Sequence, residues 1–111
     1  MEYKDRRLTP RYSFVADIEV TDVESEARIK GRVKDLSLSG CGVKTFSFFP
    51  KGRRVRIKLF HGGGYIEALG TVAYGRLELG MGVEFTSVEA EDERILAGWI
   101  AELMSAQKAH A

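Results

Sequence analysis

Residues 53–60 read RRVRIKLF, and this octapeptide sets the period for the chain around it. Val55, Ile57 and Leu59 alternate with Arg54, Arg56 and Lys58, so an extended backbone puts the aliphatic side chains on one face and the cations on the other. The HGGG that follows at 61–64 is a turn signal, and YIEALGTVAYGRL after it is a second long run. Upstream, YSFVADIEV at 12–20 carries Phe14, Ala16, Ile18 and Val20 on one face, with Asp17 and Glu19 pointing the other way. ARIKGRVKDLS alternates Ile29, Gly31 and Val33 against Lys30, Arg32 and Lys34, CGVKT is a short third run, and ELGMGVEF supplies the sixth. Six short strands at this spacing are typical of barrels and sandwiches, and they need closure to avoid exposed edges.

The period changes after Phe85. Ile95, Leu96, Trp99, Ile100, Leu103 and Met104 recur at helical spacing, with Glu91, Asp92, Glu93 and Glu102 between them. Thr86 and Glu89 have the spacing of a capping box, and an acidic first turn suits the positive end of a helix dipole. One C-terminal amphipathic helix is expected, covering a barrel opening or meeting a partner, with the tail SAQKAHA frayed.

With 111 residues the chain supports one domain and one modest core. Its 44% apolar and 30% charged residues are ordinary for a globular protein. A formal net charge of +1 gives no global drive toward nucleic acid or an anionic membrane, so any anion site must be local. MEYKDRR leads into no apolar run, and no stretch reaches membrane-spanning length, so a cytoplasmic protein without membrane insertion is expected. Cys41 has no partner for a disulfide, and His61 and His110 are too far apart in sequence to suggest a metal cluster. With no paired catalytic carboxylates and no activated nucleophile evident, no enzyme activity and no cofactor are expected.

Two polar stretches stand out. RLTPRY at 7–12 places Arg7 and Arg11 around Pro10, which biases Thr9 away from helical geometry. On an extended chain their α-carbons lie roughly 13 Å apart, enough to grip two parts of one large anion. Guanidinium forks bind phosphate, or the O6/N7 edge of guanine, in bidentate fashion. Taken alone, such residues near a terminus are more often simply solvated. In DLSLSG at 35–40, a strand sets Asp35, Ser37 and Ser39 on one face, with Leu36 and Leu38 on the core side. Gly40 then allows a turn or a close approach, and the carboxylate of Asp35 suits the N–H donors of guanine. The competing reading is a strand entering a turn capped by Asp and Ser.

The order RxxxR at Arg7–Arg11, DxSxxG at Asp35–Gly40 and GMGVEF near the last strand resembles the PilZ family of cyclic di-GMP receptors, over nearly the whole chain. The resemblance implies a mostly β fold, a six-stranded antiparallel β-barrel with one C-terminal helix. It divides the single domain into a flexible ligand-binding segment at 1–12, a barrel at 13–86 and a helix at 88–106. Arg7 and Arg11 carry over as phosphate and guanine contacts, with Asp35, Ser37 and Gly40 as the opposing wall and Gly82 beside the ligand. An arginine in the place of Arg6 is associated in the family with an intercalated pair of cyclic di-GMP molecules. The implied partners are cyclic di-GMP and an unidentified downstream protein, not a nucleic acid polymer. A PilZ-type adaptor that binds no nucleotide is the alternative.

The remaining features have plainer readings. Arg53, Arg54, Arg56 and Lys58 read as the solvated face of an edge strand, Cys41 as a small core residue and His61 as a solvated turn residue. Gly80 and Gly82 mark a bulge or a close backbone approach. Trp99 anchors the helix to the barrel, and the Trp99 and Leu103 face can cover either the chain's own barrel or a second copy in a homodimer.

Overall fold

The computed structural model describes residues 9–108. Six strands, β1 (Tyr12–Asp22), β2 (Arg28–Ser37), β3 (Gly40–Lys44), β4 (Arg54–His61), β5 (Gly64–Arg76) and β6 (Gly80–Ser87), are followed by helix α1 (Ala90–Lys108). The strands close into an antiparallel barrel in the order β1-β2-β3-β6-β5-β4. Closure is made by β1 against β4, from Ile18 opposite Leu59 to Asp22 opposite Val55. The strand with alternating cations is therefore paired on both sides, by β1 and β5, and is not an edge.

Alternation does what the sequence predicts inside the barrel. Val55, Ile57 and Leu59 meet Ile18, Val20, Val33, Leu36, Val43, Ile66, Val72 and Val83 in one buried core. Gly40 and Gly80 have no room for a side chain, because a Cβ built at either would overlap a carbonyl oxygen, of Val83 and Val43 respectively. Gly80 also takes φ +92°, which glycine adopts without strain.

Helix α1 packs on β1 and β5 at the barrel end that carries the β4–β5 turn. Leu96 and Ile100 are buried, Trp99 and Leu103 partly so, while Ile95 and Met104 are exposed, making the packed stripe narrower than expected. Trp99 stacks on Phe14 with ring centroids 6.2 Å apart and meets the edge of His61 at 5.0 Å. His61 lies 4.8 Å from Phe14, so the imidazole is a half-buried member of an aromatic cluster and not a solvated turn residue. Nε2 of Gln107 donates to the Ser13 carbonyl at 3.1 Å, fastening the C-terminal part of α1 to the start of β1. Thr86 does not cap α1, because β6 continues through Ser87 and takes it into the sheet; the first turn keeps Glu91, Asp92 and Glu93.

Arg53 also departs from the solvated reading. It reaches the buried carboxylate of Asp22 at 2.5 Å, and the Ser25 hydroxyl donates to the same oxygen at 2.6 Å. The Ser25 hydrogen bond, with help from Arg53, holds the Asp22 carboxyl down at about 2, and the carboxylate in turn raises the pKa of Arg53. This clamp ties the β1–β2 turn to the entrance of β4.

Candidate functional site

Of the predicted site residues, Arg11, Asp35, Ser37, Gly40 and Gly82 fall in the described part, while Arg6 and Arg7 lie outside it. Arg11 and Asp35 are together. Both Nε, at 3.1 Å, and Nη2 of Arg11 donate to Oδ1 of Asp35, forming an ion pair between the residue that leads into β1 and the outer face of β2. The backbone N–H of Gly42 donates to the same oxygen at 3.0 Å. Oδ2 is left without a hydrogen bond among the described residues, as an acceptor on a carboxylate that is partly exposed.

From Asp35 a single outward rung crosses the barrel. Ser13 stands opposite Asp35, Asp35 opposite Gly42, Gly42 opposite Gly82, and Gly82 opposite Tyr74. Two adjacent strands thus contribute no side chain; both glycines are buried, Gly42 beneath the Asp35 carboxylate and the Lys34 stem and Gly82 beneath the Tyr74 ring. A Cβ built on Gly42 would stand 2.9–3.0 Å from the Asp35 carboxylate oxygens and 2.9 Å from Cε of Lys34. One built on Gly82 would overlap the Tyr74 ring at Cε2. The strip therefore has an acid and two cations, Arg11 and Lys34, at one end and an aromatic ring at the other.

The ladder is irregular at this rung in three places. The β1–β2 register shifts between Ser13 and Ala16, the β2–β3 register between Val33 and Asp35, and the β5–β6 register between Val72 and Tyr74. Each shift inserts an extra residue that re-aims the side chain next to it. Without the last one, Ala73 and not Tyr74 would lie opposite Gly82.

Ser37 and Gly40 lie at the turn end of the motif. They pair with each other across the two-residue turn Leu38–Ser39 that joins β2 to β3. The Ser37 hydroxyl is fully buried, donates to the Gly40 carbonyl at 3.3 Å and accepts from the Ser39 backbone N–H at 3.2 Å. Ser39 is also buried and lies 2.6 Å, oxygen to oxygen, from the Thr9 hydroxyl. The expected alternation breaks here: Leu38, assigned to the core, is exposed, because the turn ends the strand's two-residue period after Ser37. The hydroxyls fix the base of the segment that delivers Arg11.

Gly42, Lys34 and Tyr74 were missed as site residues by reading the sequence. The first could have been found, since Cys41 and Val43 point inward and alternation turns Gly42 out beside Asp35. Tyr74 could not, because its facing depends on a bulge with no residue signature. A cleft of about 580 Å³ elsewhere, between Val15 on β1 and the β4–β5 turn, is a weaker candidate. Its charged residues, Asp17 and Arg32, neutralise each other at 2.9 Å.

A family model for the PilZ domain matches residues 5–102, and the chain belongs to that family. Among solved structures it is similar to the inhibitor of motility MotI/DgrA of Bacillus subtilis, with a TM-score of 0.69 at 19% identity, over 96% of this chain and 53% of that one. The chain thus spans about half the length of that protein. It is also similar to the PilZ domain of YcgR from Escherichia coli, whose structure holds c-di-GMP, with a TM-score of 0.70 at 20% identity over 96% of this chain and 97% of that one. The PilZ domain of CeSA from a cellulose-synthesizing bacterium gives 0.66 at 17% identity, over 88% and 98%. At these identities the likeness establishes the fold. The comparison with curated protein sequences gives no match. Among the described residues no helix is long and apolar enough to cross a membrane.

Proposed function

We propose that this chain is a cyclic di-GMP receptor whose N-terminal arginines close over the glycine strip. The observation that carries the reading is the Arg11–Asp35 pair at the head of a side-chain-free rung that ends in Tyr74. Arg11 is poised to turn one fork from Asp35 to a phosphate. Oδ2 of Asp35 is open to guanine N–H donors, and the lack of side chains at Gly42 and Gly82 lets the Asp35 carboxylate and the Tyr74 ring lie close against the sheet, leaving the space above them for a flat purine. The Tyr74 ring supplies a stacking face, and Lys34 adds charge against the phosphates. Ser37 and Gly40 act through the turn they build, and Arg6 and Arg7, in the segment 1–12, complete the clasp from the other side.

Charge-assisted hydrogen bonds contribute about 1.5–3 kcal/mol each, so three or four reach the roughly 8 kcal/mol of a micromolar complex. Ordering the segment that carries the arginines subtracts from that sum. The support from relatives is the YcgR PilZ structure with c-di-GMP. The likeness to an inhibitor of motility supports a downstream protein as the reader of the closed state. Isothermal titration calorimetry with cyclic di-GMP tests the reading: saturable binding with a rise in melting temperature is expected, and no heat and no shift at millimolar nucleotide would leave the adaptor reading in its place. Two ligands per chain are expected with Arg6 intact, because four clustered phosphates call for a third guanidinium.

A further inference from the structure

The barrel has a second feature that the nucleotide site does not use. Connections in an antiparallel barrel alternate between its ends, so the β1–β2, β3–β4 and β5–β6 connections share the end opposite the β4–β5 turn and α1, and the last two carry apolar tips. On these two connections Phe46 is fully exposed, Leu77 is 77% exposed and Leu79 is 49% exposed. They are neighbours, since a Cβ built on Gly80 would come within 3.1 Å of the Thr45 backbone nitrogen, one residue from Phe46. The β3–β4 connection is anchored from below: Phe48 and Phe49 pack on the core, and the Phe49 N–H points at the Met81 sulfur at 3.4 Å. Phe46 is thus held outward by its neighbours.

The charges around these tips differ from those on the barrel wall. Arg28, Arg32, Arg53 and Arg56 each hold a carboxylate. Lys44, Lys51 and Arg76, which border the apolar tips in sequence, make no ion pair among the described residues; Glu78 is the only acid on these two connections, while the β1–β2 turn at the same end carries Glu24 and Glu26, with Glu26 holding Arg56. A convex cluster of phenylalanine and leucine bordered by unpaired cations has the composition of a peripheral lipid contact: apolar tips enter the headgroup boundary while the cations meet lipid phosphates. A second copy is a poor occupant, because a two-fold contact through this patch would gather two sets of Lys44, Lys51 and Arg76 around one apolar centre, with Glu78 the only acid on these two connections.

We infer that the β3–β4 and β5–β6 tips, through Phe46, Leu77, Leu79, Lys44 and Arg76, form a docking surface for an anionic lipid bilayer. This contact needs no membrane-spanning segment and does not depend on the nucleotide reading.

Sedimentation of the full chain with vesicles, one third phosphatidylglycerol against phosphatidylcholine alone, tests it, with sedimentation-velocity analysis of the free protein alongside. Pelleting only with the anionic vesicles, falling as salt is raised, is expected. Phe46→Ser with Leu77→Ser, and separately Lys44→Glu with Arg76→Glu, should each weaken association by at least about tenfold. The sites are exposed, so melting temperatures should stay at the wild-type value, which separates lost docking from lost folding. Absence of wild-type pelleting with anionic vesicles overturns the inference. So does a concentration-dependent dimer that the Phe46→Ser and Leu77→Ser pair dissolves, since a second copy would then cover the patch.

Discussion

The two halves of the barrel wall use charge in opposite ways. On the β1, β2 and β4 side, Asp17 holds Arg32, Glu19 holds Arg28, Glu26 holds Arg56 and Asp22 holds Arg53. On the β2, β3, β6 and β5 side Arg11 holds Asp35, and two glycines and a tyrosine follow along the same rung. The first surface neutralises itself from within the chain and has little left to offer a ligand. The second has two glycines at its centre, overlaid by the Asp35 carboxylate and the Tyr74 ring, and the register shifts converge on it. A surface whose charges already have partners serves as scaffold; glycines overlaid by an acid and an aromatic ring beside a guanidinium are what the proposed receptor reading draws on.

Substitutions sharpen this contrast in a graded order. Arg11→Ala should have the largest effect: losing two charge-assisted hydrogen bonds of about 1.5–3 kcal/mol each lowers cyclic di-GMP affinity at least about 100-fold by calorimetry. The melting temperature should hardly move, because Arg11 lies outside the core. Gly82→Ala comes next. Its methyl would occupy the position of the Tyr74 ring, so the ring must swing off the strip, and both affinity and melting temperature should fall. Gly42→Ala should cost less on both readouts, since the carboxylate end of Asp35 can retreat by a few tenths of an ångström where a stacked ring cannot. Equal effects of the two alanines would break the picture of an asymmetric strip.

On the scaffold side the readout is stability against pH. A carboxyl at about 2 when folded and near 3.9 when unfolded adds stability that is complete above about pH 4 and drains as pH falls toward 2. Asp22→Asn should lower the melting temperature at neutral pH and flatten its decline between pH 4 and 2, with nucleotide affinity unchanged. Arg32→Ala, which removes an exposed pair, should change stability by well under about 1 kcal/mol in urea titrations and leave binding untouched.

The strands were legible because Val55, Ile57 and Leu59 obey a two-residue period that only a half-buried strand satisfies, and the helix because Leu96, Trp99, Ile100 and Leu103 obey another. Arg11 and Asp35 were legible as a spaced pair of motifs. What the sequence hid depends on contacts between distant segments. Arg53 reads as solvated until β1 brings Asp22 beside it, and His61 reads as a turn residue until α1 lays Trp99 against it. Leu38 reads as core until the Ser37–Gly40 pairing ends the strand. Tyr74 reads as one more alternating residue until a bulge turns it over Gly82. One-dimensional periodicity encodes which face a residue takes within a regular element, and it is silent where the element is interrupted.

Cys41, the second residue of β3, has no exposed surface, and burial, with the Asp35 carboxylate adding to it, pushes its thiol up to about 12. A thiol so placed reacts with an alkylating reagent only while β3 is parted from its neighbours, which makes each modified molecule a record of one opening event. The lone cysteine is a stopwatch built into the barrel wall: the labelling rate counts how often the seam beside the strip comes apart, and a guest that bridges β2, β3 and β6 should slow the count.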